Sequence, residues 1–160
     1  MSLQSCALAV ALVLNVLWGA FGIVELIYGA TYQDSYTCDS SPVVEPPTWL
    51  ITSGSVLLGT AFFGVMYSLY FLCGGSGGTD CAAVFRLFSM TLFGLVGLFH
   101  VAWAVVGGVM LWRDCRGETP DNLRVFTWIA VITHCVVAFY ALERLNSSNT
   151  SRSSSSASFA

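Results

Sequence analysis

Two histidines, one glutamate, one asparagine and a pair of loop cysteines are the residues whose chemistry this chain must account for. His100 and His134 each lie inside a long apolar run. An imidazole titrates near neutral pH and can relay protons or line an aqueous path. Polar and ionisable groups inside apolar spans are functional-site candidates by default. Counted from the ends of their runs, Asn15, Thr60, His100 and His134 fall at similar depth, one per run, as a candidate midplane polar layer. The competing reading is a hydrogen-bonded layer that fixes a helix bundle, worth about 1 kcal/mol per bond. That structural reading is the stronger, because two histidines without a nearby acid make a poor relay. Glu25 sits closer to the end of its run and is expected to form an outer-end ion pair with a third-loop arginine such as Arg113.

The elements that position these residues follow from composition. Hydrophobic residues make up 56% of the 160 residues and charged residues 9%, with no lysine. A soluble domain carries roughly 25% charged residues, so this chain cannot cover a surface in water. A bilayer core about 30 Å thick needs about 20 helical residues, and four apolar runs meet that length, at about 3–28, 48–72, 84–112 and 123–142. The expected fold is all-α: an integral membrane four-helix bundle with short loops in a domain spanning 1–145. The serine-rich segment 146–160 is expected to be a disordered tail. The first run lacks a basic n-region and is too long for a signal peptide, so it reads as a retained span.

Helical spacing assigns faces. Asn15, Trp18, Gly22 and Glu25 are spaced three, four and three residues apart and share one stripe that should face protein. Gly97, His100, Ala104 and Gly107 form a similar stripe in the third span. Ser55 with Gly59, and Thr60 with Gly64, are small-xxx-small pairs that permit close backbone approach. Trp49 and Trp112 at span ends, and Tyr67, Tyr70 and Phe71, suit an interfacial aromatic belt. Trp18, Trp103 and Trp128 lie deeper, in the bundle. The glycine-rich stretch 73–83 has neither the strand nor the lysine of a phosphate-binding loop and reads as a hairpin connection.

Orientation rests on cysteines more than on charge. With both termini inside, Arg86, Arg144 and Arg152 face Arg113, Arg116 and Arg124 across the bilayer, and the positive-inside rule is silent. Cys38 and Cys115 sit in the two loops on the same side. A disulfide between them is expected to staple the two hairpins, which requires an oxidising face and puts both termini in the cytosol. The alternative is two unpaired thiols. Cys6, Cys73 and Cys81 then fall at the cytosolic margin, where acylation occurs, and Cys135 reads as a small buried apolar residue.

Signatures of catalysis are missing: the histidines are too far apart for an HExxH zinc site, and no GxSxG elbow occurs. The loop acids Asp34, Asp39 and Glu45 read as solvation. No cofactor or metal is expected, and a net charge of −3 with scattered arginines gives no basis for nucleic-acid binding. The partners expected are the lipid bilayer and either a second copy or another membrane protein, in the plasma membrane or secretory pathway. The leading function is non-enzymatic helix packing with such a partner. The alternative is an oligomeric channel or transport element using the midplane polar layer.

A loop cysteine (Cys38), then PPTWLITSG at Pro46 to Gly54, is followed by FHVAWAVVGGVMLW in the third span, and by LRVFTWIAVIT at Leu123 to Thr133 after a second loop cysteine. This pattern resembles the transmembrane protein 272-like family of small four-span animal membrane proteins. Phe99, Trp103 and Gly107 match that family's F-x-x-x-W-x-x-x-G core, and Trp128 matches an aromatic of its fourth span. The resemblance covers Cys38 to Val137. It implies topology and carries over no catalytic residue.

Overall fold

The computed structural model describes residues 3–35, 38, 42–72, 79–115 and 119–156. Four helices follow in chain order: α1 (Leu3–Tyr32), α2 (Pro46–Leu72), α3 (Thr79–Val109) and α4 (Asp121–Ser156). All four contain stretches long and apolar enough to cross a membrane, and the chain is an integral multi-pass membrane protein. Among the described residues there is no strand. Of the glycine-rich connection expected at 73–83, residues 73–78 lie outside the described residues and 79–83 instead form the first turn of α3. Asp39 and Arg116 also lie outside the described residues, as do the side chains of Phe71, Cys81, Arg86, Arg144 and Arg152.

Local chemistry directs where α2 and α4 begin and where α3 ends. Pro46 and Pro47 open α2, where a missing N–H leaves nothing unsatisfied. Glu45 stands just before that N-terminus, and its Oε2 accepts a bond from the Cys38 amide at 3.1 Å. After Val109, α3 widens into a single π turn, Met110–Asp114, closed by the Cys115 amide donating to the Met110 carbonyl at 2.9 Å. That wider turn sets the direction in which Cys115 leaves the helix. Asp121 lies in the first turn of α4, where a negative charge suits the helix dipole. The helix then runs on to Ser156, where a disordered tail is expected from residue 146. Serine is only a modest helix former, but extending an established helix costs far less than starting one.

The bundle is built as two hairpins. α1 packs along α2 and α3 along α4, while α2 and α3 meet less extensively. The α1 and α2 backbones approach closely at Gly22 and Gly54. A Cβ at Gly22 would lie 2.9 Å from the Gly54 carbonyl oxygen, and one at Gly54 would lie 2.7 Å from that of Gly22. Only glycine permits this approach. Cys38 and Cys115 form a disulfide with Cα atoms 5.6 Å apart, joining the two hairpins across 77 residues of chain. Below it the core gathers Trp49, Leu50, Met110, Leu111, Leu123 and Val131. Tyr28 stacks on Phe126 at 4.1 Å, adding an aromatic tie between α1 and α4.

Candidate functional site

The site grows out of that glycine contact. Glu25 stands one turn after Gly22 on the same stripe, so the approach of α1 to α2 draws its side chain inward. A Cβ on Gly54 would sit 3.0 Å from the Glu25 Cβ. On α3, the small residues Gly97 and Ala104 flank His100 and are buried with it, which lets α4 close in. The His100 and His134 rings stack at 4.7 Å, tilted by 28°. Their Nδ1 atoms lie 2.6 Å apart, and His134 Nε2 lies 3.1 Å from Glu25 Oε1. Glu25, His134 and His100 form one continuous chain across α1, α4 and α3, and all three are 0% exposed.

Aromatic groups wall the chain. The Trp49 ring meets His134 edge-on at 5.5 Å. Trp49 and Trp103 donate reciprocally: the Trp49 indole N–H bonds the Trp103 carbonyl at 2.9 Å, and the Trp103 indole N–H bonds the Trp49 carbonyl at 3.3 Å. This exchange satisfies both indoles and ties α2 to α3. Phe99 stacks on Trp103 at 5.4 Å. Gly107 leaves room for Trp49, since a Cβ there would lie 2.7 Å from the indole ring.

Proton counting constrains the chain, because every imidazole nitrogen that donates must carry the proton. With Glu25 ionised and both rings neutral, His134 Nε2 donates to the carboxylate. His134 Nδ1 then accepts, and His100 Nδ1 donates to it. Two atoms remain without a hydrogen-bond partner, Glu25 Oε2 and His100 Nε2, one at each end of the chain. A buried polar atom left unpaired is costly and calls for an explanation.

The expected midplane layer divides into two levels. His100 and His134 come together, but Asn15 and Thr60 do not join them. Asn15 donates to the Ala11 carbonyl at 2.8 Å and its amide lies against Gly64. It is ten residues from Glu25 on α1, about 15 Å along the helix axis. Thr60 donates to the Val56 carbonyl at 2.7 Å. With Val56, Gly59, Phe63, Leu92, Phe93 and Val96 it lines an apolar cleft of about 160 Å³ between α2 and α3. The offset follows from the antiparallel register that Gly22 and Gly54 impose on α1 and α2, which sets Asn15 opposite Gly64.

Three further expectations are corrected. Glu25 does not pair with Arg113, which is 70% exposed at its side chain and bonds its neighbour Asp114 at 2.6 Å. The exposed arginine finds an acid in water, whereas Glu25 faces the core and, among the described residues, pairs with His134. Trp49 is fully buried rather than a belt residue, because its partners on α3 and α4 approach it there; Trp112, by contrast, is exposed at a span end as expected. Cys135 is exposed, since the residue before it, His134, takes the inward direction of α4. The signal for Glu25 lay in its stripe with Gly22; what the stripe lacked was the axial offset of α1 relative to α4.

The remaining hydroxyls explain themselves. Thr31, Thr52, Ser55, Ser68, Thr91 and Thr127 each donate to the carbonyl four residues back. Such bonds satisfy a hydroxyl in apolar surroundings without a neighbour. Among the described residues, no group of three or more His, Cys, Asp or Glu side chains is arranged to hold a metal ion. His134, the central member of the chain, has both ring nitrogens engaged within it. In comparison with known proteins, no family model, curated protein or solved structure matches the chain.

Proposed function

We propose that this protein is a non-enzymatic transport element whose working part is the buried Glu25–His134–His100 chain. One observation carries the reading: an acid lies 3.1 Å from one of two mutually bonded histidines at membrane depth. From sequence the transport reading is the weaker of two, for want of an acid beside the histidines, and Glu25 removes that objection. A carboxylate with two imidazoles is costly to bury and adds little to stability that apolar residues would not supply. With Trp49, Trp103 and Phe99 walling the chain, permeation takes place between copies of the protein or during a rearrangement of its two hairpins.

The test is whole-cell current and ion flux in cells expressing the chain, between pH 5.5 and 8, which brackets the ordinary histidine pKa of about 6.5. Transport predicts a new flux that Glu25→Gln and His134→Ala abolish while surface expression persists. Silence of the expressed wild-type protein at every pH would sink the reading.

A second reading, helix packing with itself or another membrane protein, has its own support. Gly59 is exposed and a Cβ there meets nothing within 4 Å, and Ser55, one turn earlier, is also exposed. One small-xxx-small pair therefore faces outward while the Gly64 of the other is covered by Asn15. Such a face suits a second copy, and Gly59→Leu should weaken proximity labelling between differently tagged chains. The disulfide supports the orientation proposed with either reading, loop end in an oxidising compartment and both termini in the cytosol of a secretory-pathway or plasma-membrane protein. Kinship with the transmembrane protein 272-like family belongs to the same proposal and rests on the spacing of Phe99, Trp103 and Gly107.

A further inference from the structure

We propose that the species handled at this site is the proton, relayed along Glu25, His134 and His100 by exchange of imidazole tautomers. The inference rests on the transport reading above and specifies its substrate. Three groups in line, separated by 2.6 and 3.1 Å and closed off from solvent, leave space for no other ion between them. The two unpartnered atoms, His100 Nε2 and Glu25 Oε2, lie at opposite ends. With Glu25 ionised both ends are bare acceptors, and each is a place for an incoming proton to bind.

A proton binds His100 Nε2, and the proton on His100 Nδ1 passes to His134 Nδ1. The proton on His134 Nε2 then passes to Glu25 Oε1. Three bonds to hydrogen form, at His100 Nε2, His134 Nδ1 and Glu25 Oε1. Two break, at His100 Nδ1 and His134 Nε2. One proton has been gained, the carboxylate has become a carboxylic acid, and both imidazoles end neutral with their tautomers exchanged. Rotation of the carboxyl group presents the proton on the other side, where it leaves, and reorientation of the two imidazole rings restores the starting tautomers before the next proton enters. No oxidant, reductant or further reactant takes part. A proton that binds Glu25 Oε2 directly leaves both tautomers as they were. The tautomers therefore report whether the relayed state, with both rings exchanged, is populated when Glu25 is protonated.

Among the described residues, no other charged side chain bonds to the chain at this level. α1 contributes Glu25, α3 His100 and α4 His134, while Trp49, Ser53 and Gly54 of α2 are uncharged, and the Ser53 hydroxyl donates to the Leu50 carbonyl. On α3, Val96 stands one turn before His100 and lines the apolar cleft between α2 and α3. Separation of those two helices, which meet less extensively than either hairpin pair, would open the α3 side on which Val96 lies.

The full-length chain is reconstituted in lipid vesicles and read in two ways. Proton flux is followed with an entrapped pH-sensitive dye, with potassium, sodium and chloride exchanged in turn for impermeant ions. On the same samples, nitrogen-15 NMR of the histidines reports their tautomers, and carbon-13 NMR of Glu25 reports its carboxyl proton, from pH 5 to 8. The relay predicts a proton flux indifferent to the other ions and lowered at least tenfold by Glu25→Gln. Glutamine keeps an acceptor for His134 Nε2, so that variant retains the bond while losing the proton site. The relay further predicts that both tautomers exchange in step with protonation of Glu25. Tautomers that stay constant while the carboxyl titrates overturn it, as does a flux carried by another ion, which would leave the transport reading standing. Coupled tautomer exchange without flux of any ion supports the relay and removes transport.

Discussion

The bundle has two ends that treat polar residues in opposite ways. Toward the disulfide, side chains of all four helices converge. Glu25, Trp49, His100 and His134 are fully buried and bond across helices. Away from it, Asn15 and Thr60 bond carbonyls of their own helices, and an apolar cleft separates α2 from α3. A polar side chain satisfied by its own helix makes no demand on its neighbours. One that must find its partner on another helix constrains the position of both. The difference explains why only one of the two levels carries a candidate site.

Mutations at the two levels should separate most clearly in stability. Gly107→Leu is expected to have the largest effect, because a side chain there collides with the Trp49 ring and breaks the reciprocal indole bonds. A loss of about 3 kcal/mol or more is expected from overpacking together with unpaired indoles, measured by thermal unfolding in detergent. If that variant unfolds like wild type, the tightly bonded end does not govern stability. Replacing Cys38 and Cys115 with serine removes a constraint on 77 residues of chain. In a chain-entropy model this is worth up to about 4 kcal/mol, less here because membrane-inserted helices are already restricted. The expected outcome is a lower unfolding temperature together with hydrogen exchange that rises at the disulfide end and not around Asn15.

Glu25→Gln should cost under about 1 kcal/mol of stability, since an acceptor for His134 remains. It should nevertheless lower the flux at least tenfold, and a variant that keeps the wild-type flux and pH profile would detach Glu25 from function. At the other level, Thr60→Val should change stability by less than about 0.5 kcal/mol, because the hydroxyl serves only the Val56 carbonyl. A large effect of Thr60→Val on unfolding or flux would instead make the cleft part of the working site.

Much of this architecture is legible in the residue order. Four apolar runs long enough for a bilayer dictate four helices, since a backbone in lipid must satisfy its own hydrogen bonds. Cysteines in two loops on one side brought together the disulfide, and the stripes Gly22–Glu25 and Gly97–Gly107 turned inward as helical spacing requires. What spacing along single helices left out is how far one helix slides along another. Depth counted from span ends placed Asn15 and Thr60 beside the histidines and Glu25 beside Arg113. The contact of Gly22 with Gly54 decided otherwise, by setting the register of α1 against α2 and carrying Glu25 inward to within 3.1 Å of His134. The apolar runs alone determined a four-span membrane protein. The acid joined the two histidines through the tertiary structure, because axial register depends on side-chain volumes at contacts between helices, which no single helix encodes.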